Sequence, residues 1–388
     1  MSEVRLLYGT TEPGHEHLSS DLLWRTGFNM CDPFFLCEVE DGDPVILVSD
    51  LEYERAKKES RDCRVERLQS FIDRIEGRKE KPSLSAVLAE FLRDNSVDKV
   101  VIPHSFPALL YKLLSEGGFH VEVLGLEKPL YPEREVKTEW EIECISSVQR
   151  VVEEAVYEVV ELLRKAAISS DGTLRDSRNR RITAESIRSS MDARFMQRNC
   201  FAMSTIIACG DQAVDPHSIG EGPIYAHLPI VMDIYPRSKQ NWYWSDMSRT
   251  FFKGEPAKEA EVMYQTVLDA QCMAIGMIHA GVDGVTIYRA VEEFFEARGY
   301  LTGIQGETQT MQGFTHSVGH GVGLDIHENP RITRTSYILP EGSLVTVEPG
   351  LYYLGIGGVR IEDLVVVTKD GCRNLTTFPK ELSDMIIP

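Results

Sequence analysis

The segment His316–Glu328 reads HSVGHGVGLDIHE and holds three of the ten histidines of the chain. His316 and His320 stand at i and i+4, the spacing at which two histidines on one helix bind zinc in the motif H-E-x-x-H. The glutamate of that motif is missing, and glycine, which weakens a helix, occupies positions 319, 321 and 323. The pattern therefore argues against a zinc-binding helix. It leaves open whether the three histidines bind one metal or have different roles.

The composition is that of a globular chain of 388 residues, a length typical of two or three domains. Asp and Glu outnumber Lys and Arg by 60 to 41, and the net charge of −19 argues against nucleic acid or an anionic membrane as partner. Eight scattered cysteines without a Cys-x-x-Cys pair favour reduced thiols and a cytoplasmic location. Neither a long apolar run nor a signal-peptide pattern is present, so we expect no membrane span.

Residues 1–133 alternate short apolar strands with helical patterns. PFFLCEV and PVILVSD predict two strands that turn at residues 40–43, and DKVVIP and HVEVLG predict two more. Helical periodicity lies in LEYERAKKES, LSAVLAEFLRD and PALLYKLLSEG. Because this α/β domain has no phosphate-binding loop, we expect it to shape and cover a site that lies elsewhere. The segment LEKPLYPEREVKT then predicts a linker, followed by a second domain over residues 134–388.

The second domain is predicted to begin with a long amphipathic helix. Thr138 and Glu141 form a capping-box pattern at its start, and apolar residues follow at spacings of three and four. Further helices are predicted at residues 183–198, 256–279 and 284–298. Strands are predicted at residues 204–209, 229–236, 242–252, 343–349 and 358–367.

Two of the predicted strand pairs carry acidic residues in the same arrangement. PIVMDIYP turns through RSKQN into WYWSDMSRTFF, and SLVTVEPG turns through LYYLGIG into GVRIEDLVVV. Each strand–turn–strand unit, here called an acidic ribbon, has one carboxylate on each strand: Asp233 and Asp246 in the first, Glu348 and Glu362 in the second. Folding each ribbon places its two carboxylates side by side.

Carboxylates in such apolar strands are expensive to bury without compensation. Two like charges side by side repel each other unless a proton or a cation lies between them. The four acids together carry a charge that two divalent cations would neutralise. Four carboxylates and one imidazole form a hard, oxygen-rich ligand set, which favours Mn, Co or Fe and still allows Zn.

The segments MDIYP, SDMSRTFF, HSVGHGVGLDIHE, TVEPG and VRIED, in this order, resemble the pita-bread metallopeptidases. This family includes methionine aminopeptidase, Xaa-Pro aminopeptidase and prolidase, and the resemblance covers residues 138–388. The preceding domain resembles the creatinase/prolidase N-terminal domain in length and in its rhythm of strands and helices, which favours the proline-specific branch. The implied fold class is α/β (α+β), with a C-terminal pita-bread fold preceded by a smaller creatinase-like α/β domain.

The resemblance implies a ligand set for two divalent metal ions, with manganese preferred and cobalt, iron or zinc possible. The positions that match the ligand motifs of the family are Asp233, Asp246, His320, Glu348 and Glu362. Asp246 and Glu362 are expected to bridge both metals, and His320 to bind one. One feature departs from the family pattern, because the loop between the two aspartates is about two residues longer than usual and lacks glycine.

The resemblance also assigns roles to residues that do not bind metal. His327 is similar to the histidine that donates to the substrate carbonyl or oxyanion, and His217 to the one that contacts substrate beside the metals. His316 is similar to a further pocket histidine that binds substrate. Arg360 is expected to orient Glu362 from the second shell of ligands. Arg331 either binds a substrate carboxylate or supports its loop.

The activity implied by the resemblance is hydrolysis of the N-terminal Xaa-Pro bond of peptides, as in a Xaa-Pro aminopeptidase. In that family a metal-bound hydroxide attacks the scissile carbonyl, and Glu348 is expected to move the proton to the leaving nitrogen. The alternative is a prolidase, a Xaa-Pro dipeptidase. A metal-independent creatinase-like hydrolase and a catalytically silent binding module are two further alternatives. We expect a peptide substrate with proline at its second position and a homodimeric protein.

Overall fold

The computed structural model describes residues 2–40, 42–125, 128–303 and 312–388. The chain forms two compact units, Met1–Arg134 and Glu135–Pro388. No helix within the described ranges is both long enough and apolar enough to cross a membrane.

The N-terminal unit is built around one mixed sheet with strand order β4-β3-β2-β1-β5-β6. The strands described in this unit are β1 Ser2–Gly9, β2 Phe34–Val39, β3 Val45–Val48, β4 Arg64–Arg67, β5 Val97–Pro103 and β6 His120–Leu124. The helices described are α1 Ser20–Thr26, α2 Tyr53–Glu59, α3 Leu68–Gly77, α4 Leu84–Asp94 and α5 Ala108–Glu116. All four strands and all three helices predicted for residues 1–133 are confirmed in type.

Strand β1 lies in the middle of this sheet, and the sequence analysis did not predict it. It pairs antiparallel with β2 and parallel with β5. Its side chains alternate between two apolar clusters, with Val4 and Leu6 on the face covered by α3, α4 and α5 and Leu7 on the opposite face with α1 and α2. Helices thus cover both faces, which explains the unbroken apolar runs of the neighbouring strands.

The C-terminal unit begins with the predicted long helix. Its helices are α6 Glu139–Arg164, α7 Ala184–Gln197, α8 Lys258–Met277, α9 Gly284–Glu296 and the short α10 Leu382–Met385. Thr138 caps α6 as predicted: its hydroxyl accepts from Glu141 N at 3.3 Å, and the Glu141 carboxylate accepts from Thr138 N at 2.7 Å. The predicted helices at 183–198, 256–279 and 284–298 are confirmed as α7, α8 and α9.

Two sheets dominate this unit, with orders β10-β11-β13-β21 and β15-β14-β16-β19-β20. Their strands are β10 Ile206–Cys209, β11 Ile230–Ile234, β13 Met247–Lys253, β14 Gly319–Gly321, β15 Glu328–Ile332, β16 Leu344–Val347, β19 Asp363–Thr368, β20 Gly371–Asn374 and β21 Ile386–Ile387. The described residues of this unit also form three two-stranded pairs: β7 Ala167–Ile168 with β8 Leu174–Arg175, β9 Cys200–Phe201 with β12 Arg237–Ser238, and β17 Gly350–Tyr353 with β18 Gly357–Arg360.

The side-chain alternation of these strands decides which residues face the site. Ile230, Met232 and Ile234 of β11 belong to the apolar core shared with α6 to α9, so Asp233 points to the opposite face. In the second sheet Val345 and Val347 of β16 belong to the same core. Thr346 and Glu348 therefore lie on the face away from the helices.

Two predicted strands have different limits in the structure. The strand predicted at 242–252 begins at Met247, and before it Trp244 forms an isolated bridge with Arg237. The strand predicted at 358–367 is two strands, β18 and β19, interrupted at Ile361 and Glu362. The interruption has a physical cause, since the Glu362 N–H donates to the Ser248 carbonyl of the first sheet at 3.0 Å. The segment LYYLGIG, interpreted as a turn, contains strand β17.

Arg249 of β13 joins the two sheets at this point. Its guanidinium donates to the carbonyls of Ser248 at 2.9 Å and Glu362 at 2.6 Å, and to the Asp363 carboxylate at 2.8 Å. It also donates to the carbonyls of Phe378 and Pro379. The buried arginine therefore uses all five N–H donors to hold the backbone on which the acidic residues are placed.

Candidate active site

A cavity of about 540 Å³ lies in the C-terminal unit and gathers the predicted site residues. Its walls include all five predicted metal ligands, which are Asp233, Asp246, His320, Glu348 and Glu362. The same walls include the five other candidates, which are His217, His316, His327, Arg331 and Arg360. Residues from distant parts of the sequence thus meet in one place.

The two acidic ribbons place their carboxylates differently. In the first, Asp233 lies directly opposite Ser248, so Asp246 is a diagonal neighbour two residues away. In the second, Val347 lies opposite Asp363 and Gly350 opposite Arg360. The same register continued between these pairs sets Glu348 opposite Glu362. Both arrangements leave the two acids of a ribbon on one face.

His320 lies on the short strand β14 rather than on a helix, which confirms that His316 and His320 do not form a zinc-helix motif. Glycine is required on either side of it: a Cβ at Gly319 would lie 2.0 Å from the Thr346 carbonyl oxygen, and one at Gly321 would lie 2.3 Å from that of Asn329. The glycines therefore let neighbouring strands approach the histidine closely.

The ring of His320 presents one nitrogen to the acids. Its Nδ1 donates to the Gly321 carbonyl at 3.1 Å, which leaves Nε2 without a proton in the neutral ring. That Nε2 lies 3.4 Å from a Glu348 oxygen and 3.7 Å from an Asp246 oxygen. Acceptors that face one another at these distances require a proton or a cation between them.

A divalent cation fits the donor set. One ligand atom each from Asp246, His320 and Glu362 lies within 4.8 Å of the other two. Within the described part of the chain, no donor reaches the buried Oδ1 atom of either Asp233 or Asp246. Buried polar atoms without a partner are rare, and oxygen atoms aimed into an acidic cavity are suited to a hard cation.

The electrostatics of the cluster show the same shortage of positive charge. Burial raises the pKa of Asp246 well above its ordinary value, and the charges of Glu362 and Asp233 raise it further. Burial, followed by the charge of Glu348, does the same to the pKa of Glu362. Burial also lowers the pKa of His320 to about 3, so this ring stays neutral and able to bind a metal.

Arg360 is the cation that lies nearest to these acids in the described residues. It forms an ion pair with Asp233 at 2.8 Å and donates through Nε to the Ser248 hydroxyl at 3.0 Å. Ser248 in turn donates to Glu362 at 3.0 Å. Arg360 is therefore linked to Glu362 through Ser248. The sequence analysis missed Ser248, although it lies two residues after Asp246 and directly opposite Asp233 in the strand pairing.

Arg360 is also linked to His316 through Tyr352, a second residue that the sequence analysis missed. Arg360 donates to the Tyr352 hydroxyl at 2.9 Å, and that hydroxyl donates to His316 Nε2 at 2.8 Å. His316 Nδ1 donates to the Ser317 carbonyl at 2.7 Å. Both nitrogens of His316 are thus engaged inside the protein, although its side chain lines the cavity. Its predicted role in binding substrate stays a prediction.

His217, His327 and Arg331 are exposed residues of the cavity wall. The ring of His327 packs edge-on against that of His320, with 4.4 Å between the ring centroids. Burial lowers the pKa of His327, and the charge of Arg331 lowers it further. A neutral histidine at this position can donate a hydrogen bond to a bound ligand without carrying charge.

Glu348 gives a pH-dependent prediction for the metal-free protein. Burial raises the pKa of its carboxyl from 4.5 to about 8, with Arg360 opposing and Asp233 adding to the rise. Between these pKa values the folded state binds more protons than the unfolded state, so the free energy of unfolding decreases as the pH rises. Because glutamine does not ionise, we expect Glu348→Gln to remove this pH-dependent decrease in the free energy of unfolding. The variant should stabilise the metal-free protein on the order of 2 kcal/mol at pH 8.

The measurement is urea unfolding of the chelator-treated protein between pH 5 and pH 8. The advantage of Glu348→Gln should vanish near pH 5, where the wild-type carboxyl is protonated. Glu259→Gln, which neutralises an exposed acid on α8, is the matched control. Parallel pH profiles of the wild type and Glu348→Gln would show that this carboxyl does not carry the predicted proton.

Residues 143–369 match the model of the metallopeptidase family M24. This segment is more than half of the chain, and the chain therefore belongs to that family. Membership confirms the resemblance seen in the sequence and implies the use of divalent metal.

Three similar proteins extend the comparison beyond the matched segment. The chain is 29% identical over 347 residues to the Xaa-Pro dipeptidase of Pyrococcus furiosus, covering 89% of this chain and 88% of that protein. Its fold is similar to an X-Pro aminopeptidase from Thermotoga maritima MSB8, with a TM-score of 0.78, 24% identity, and 98% and 96% of the two chains covered. A Xaa-Pro dipeptidase from Bacillus anthracis gives a TM-score of 0.78 at 22% identity, with 98% and 94% covered. The predicted pita-bread fold with an N-terminal α/β domain is thereby confirmed.

Proposed function

We propose that the protein is a metal-dependent exopeptidase that hydrolyses the N-terminal Xaa-Pro bond of peptides. The single observation that carries this proposal is the complete set of four carboxylates and one imidazole around one cavity, with buried aspartate oxygens that have no donor among the described residues. Family membership supplies the reaction class. The printed activities of the full-length relatives, a Xaa-Pro dipeptidase and an X-Pro aminopeptidase, support the preference for proline.

In this proposal Asp233, Asp246, His320, Glu348 and Glu362 hold two divalent cations. When bound, such a pair supplies a reactive water-derived nucleophile and polarises the scissile carbonyl. Arg360 and Ser248 fix the carboxylates of Asp233 and Glu362 through the hydrogen bonds described above, so the oxygens that remain are aimed into the cavity. The orientation of these carboxylates therefore determines where the cations can bind.

Glu348 is the acid suited to move a proton during the reaction. Its side chain is 14% exposed, whereas that of Asp246 is 6% exposed and the Glu362 residue as a whole only 1%. The Asp233 side chain is 16% exposed, but it is held in an ion pair with Arg360 at 2.8 Å. An accessible carboxylate beside the cations can take a proton from the nucleophile and deliver it to the leaving nitrogen. His327 and His217 lie on the exposed wall, where their rings can donate hydrogen bonds to the substrate carbonyl and hold the peptide.

A second candidate within the same chemistry is a Xaa-Pro dipeptidase. Arg331 is exposed on the cavity wall, where a guanidinium can bind the free carboxylate of a two-residue substrate. The Pyrococcus furiosus relative also has this printed activity. An aminopeptidase instead needs that end of the cavity to accept a continuing chain.

Three finer features belong to the same proposal. We propose manganese as the native metal because the ligand set is rich in carboxylate oxygen. The eight scattered cysteines, interpreted as reduced thiols, support a cytoplasmic location. A homodimer follows from the family resemblance.

The ligand substitutions Asp246→Asn and His320→Ala test the proposed metal site. We expect each to lower kcat/KM on an Xaa-Pro peptide by at least about 100-fold, since changes to residues that merely orient metal ligands already cost up to that factor. His279→Ala, an exposed histidine at the end of α8, is the matched control and should leave activity unchanged. Activity is read by mass spectrometry of the released residue, with metal content measured in parallel.

Removal of metal by a chelator, together with a metal-binding assay, distinguishes the proposed enzyme from the two other classes of protein considered above. Activity of the wild type that survives exhaustive chelation would support a metal-independent hydrolase and contradict this proposal. Metal binding without cleavage of any Xaa-Pro peptide would support a silent binding module.

Arg331→Gln distinguishes the two exopeptidase activities. If Arg331 binds the substrate carboxylate, this variant should raise KM about 10-fold or more for Xaa-Pro dipeptides and leave KM for C-terminally amidated Xaa-Pro peptides unchanged. Arg334→Gln is the matched control, because Arg334 is exposed and pairs with Glu292 at 3.1 Å. Longer Xaa-Pro peptides cleaved as fast as dipeptides by the wild type would exclude the dipeptidase.

A further inference from the structure

The long turn of the first acidic ribbon forms a compact structure of its own. Its strand β12 pairs with β9, so that Arg237 lies opposite Phe201. Ser238 N donates to the Tyr243 carbonyl at 2.9 Å, and Trp242 N donates to the Ser238 carbonyl at 3.1 Å. The residues that lengthen this turn relative to the family pattern are therefore ordered by its own backbone hydrogen bonds.

A buried arginine and two tryptophans fill this turn. The guanidinium of Arg237 lies 5.5 Å from the ring centroids of both Trp242 and Trp244, and its Nε donates to the Trp242 carbonyl at 2.6 Å. The Trp244 ring also packs near that of Phe201, with 6.4 Å between centroids. Contacts with a cation and an aromatic ring restrict the orientation of the Trp244 side chain.

Both N–H groups of Trp244 donate hydrogen bonds to the same loop. Its backbone N–H donates to the Gly323 carbonyl at 2.9 Å, and its indole Nε1–H donates to the Leu324 carbonyl at 3.0 Å. These two carbonyls belong to the segment between the candidate ligand His320 and the candidate catalytic residue His327. The turn that separates the two aspartates therefore holds the loop that carries His327.

The far side of this loop is held by a buried ion pair. Lys137 Nζ donates to a Glu328 oxygen at 2.7 Å, and the lysine side chain is only 1% exposed. The other Glu328 oxygen accepts from Asp325 N at 3.3 Å, and Gly323 N donates to the Asp325 carbonyl at 3.0 Å. The loop is thus fixed before and after His327 by groups that lie outside the proposed metal ligands.

We propose that Trp244 is a positioning residue that sets the location of His327 beside the metal centre, an inference that rests on the proposed role of His327 in binding the substrate carbonyl. The ring of His327 packs against that of His320, and the residue is exposed. Its position therefore depends on the backbone of residues 323–327. A shift of that backbone moves the donor away from the reacting carbonyl while leaving the ligands in place.

Trp244→Phe tests this inference with the smallest change. Phenylalanine keeps an aromatic ring for Arg237 and Phe201 and keeps the backbone N–H, but it removes the donor to the Leu324 carbonyl. We expect kcat on an Xaa-Pro peptide to fall about 5- to 10-fold with KM changed less than twofold and with metal stoichiometry unchanged. In a His327→Ala background the same substitution should have no further effect on kcat.

Hydrogen–deuterium exchange supplies a readout that does not need activity. In the metal-free protein Trp244→Phe should speed exchange of the backbone amides of residues 244, 323 and 325 at least about 5-fold, because these N–H groups donate hydrogen bonds within the contact that the indole donor stabilises. Trp140→Phe is the matched control, since Trp140 is half-exposed and packs edge-on against Tyr243. It should change neither exchange in this loop nor kcat.

Two results would overturn the inference. One is exchange of the amides of residues 244, 323 and 325 that is the same in Trp244→Phe and Trp140→Phe. The other is a loss of kcat from Trp244→Phe that persists undiminished in the His327→Ala background, which would mean that Trp244 acts through another group. Failure of the proposed function is a separate outcome, namely a wild-type protein that cleaves no Xaa-Pro peptide while the exchange difference remains.

Discussion

Mutual repulsion of carboxylates packed around one cavity is the constraint on which this structure depends. Asp246 and Glu362 are almost fully buried, and Asp233 and Glu348 line the same wall. Burial and neighbouring charge raise the pKa values of Asp246, Glu348 and Glu362, so protons offset part of this repulsion in the metal-free state. Arg360 neutralises only a part of it through Asp233. A protein that keeps such a cluster needs cations to balance it, and that need connects the fold to metal-dependent hydrolysis.

The rest of the C-terminal unit holds these like charges together. The backbone hydrogen bond from Glu362 N–H to the Ser248 carbonyl joins the two sheets. Arg249 donates hydrogen bonds to the carbonyls of the same two residues. Ser248 then orients the Glu362 side chain, so one serine links backbone position to ligand orientation. Trp244 and Lys137 contact the loop that carries His327. The strand that carries His320 pairs with the strand that begins next to His327, and these two residues add contacts to the connecting loop from outside the candidate ligands.

The sequence predicted which acids and which histidine line the cavity, because acids in apolar strands are rare and the motif order indicated the family. Their role as metal ligands stays a prediction. The supporting network could not be predicted, since its members carry no unusual local pattern. Ser248 and Tyr352 matter through strand register and a hairpin that the sequence analysis interpreted as a turn. Strand β1 was missed because the consecutive residues Leu6, Leu7 and Tyr8 break the alternation that marks a strand, although it pairs with two strands distant from each other in sequence. The longer turn at Trp244 was noticed as a departure, but only the structure shows the loop it contacts.

The central claim is that the buried carboxylates exchange protons for two divalent cations. Calorimetric titration of the metal-free protein with Mn²⁺ at pH 7, in two buffers with different heats of protonation, measures both the metal stoichiometry and the protons released. Since the pKa of Glu348 lies at about 8 in the metal-free state, this carboxyl is protonated at pH 7 and must lose its proton to bind metal. We expect two Mn²⁺ ions to bind per chain, with net release of about one proton or more. Absence of binding, or binding with no proton release, would contradict the account.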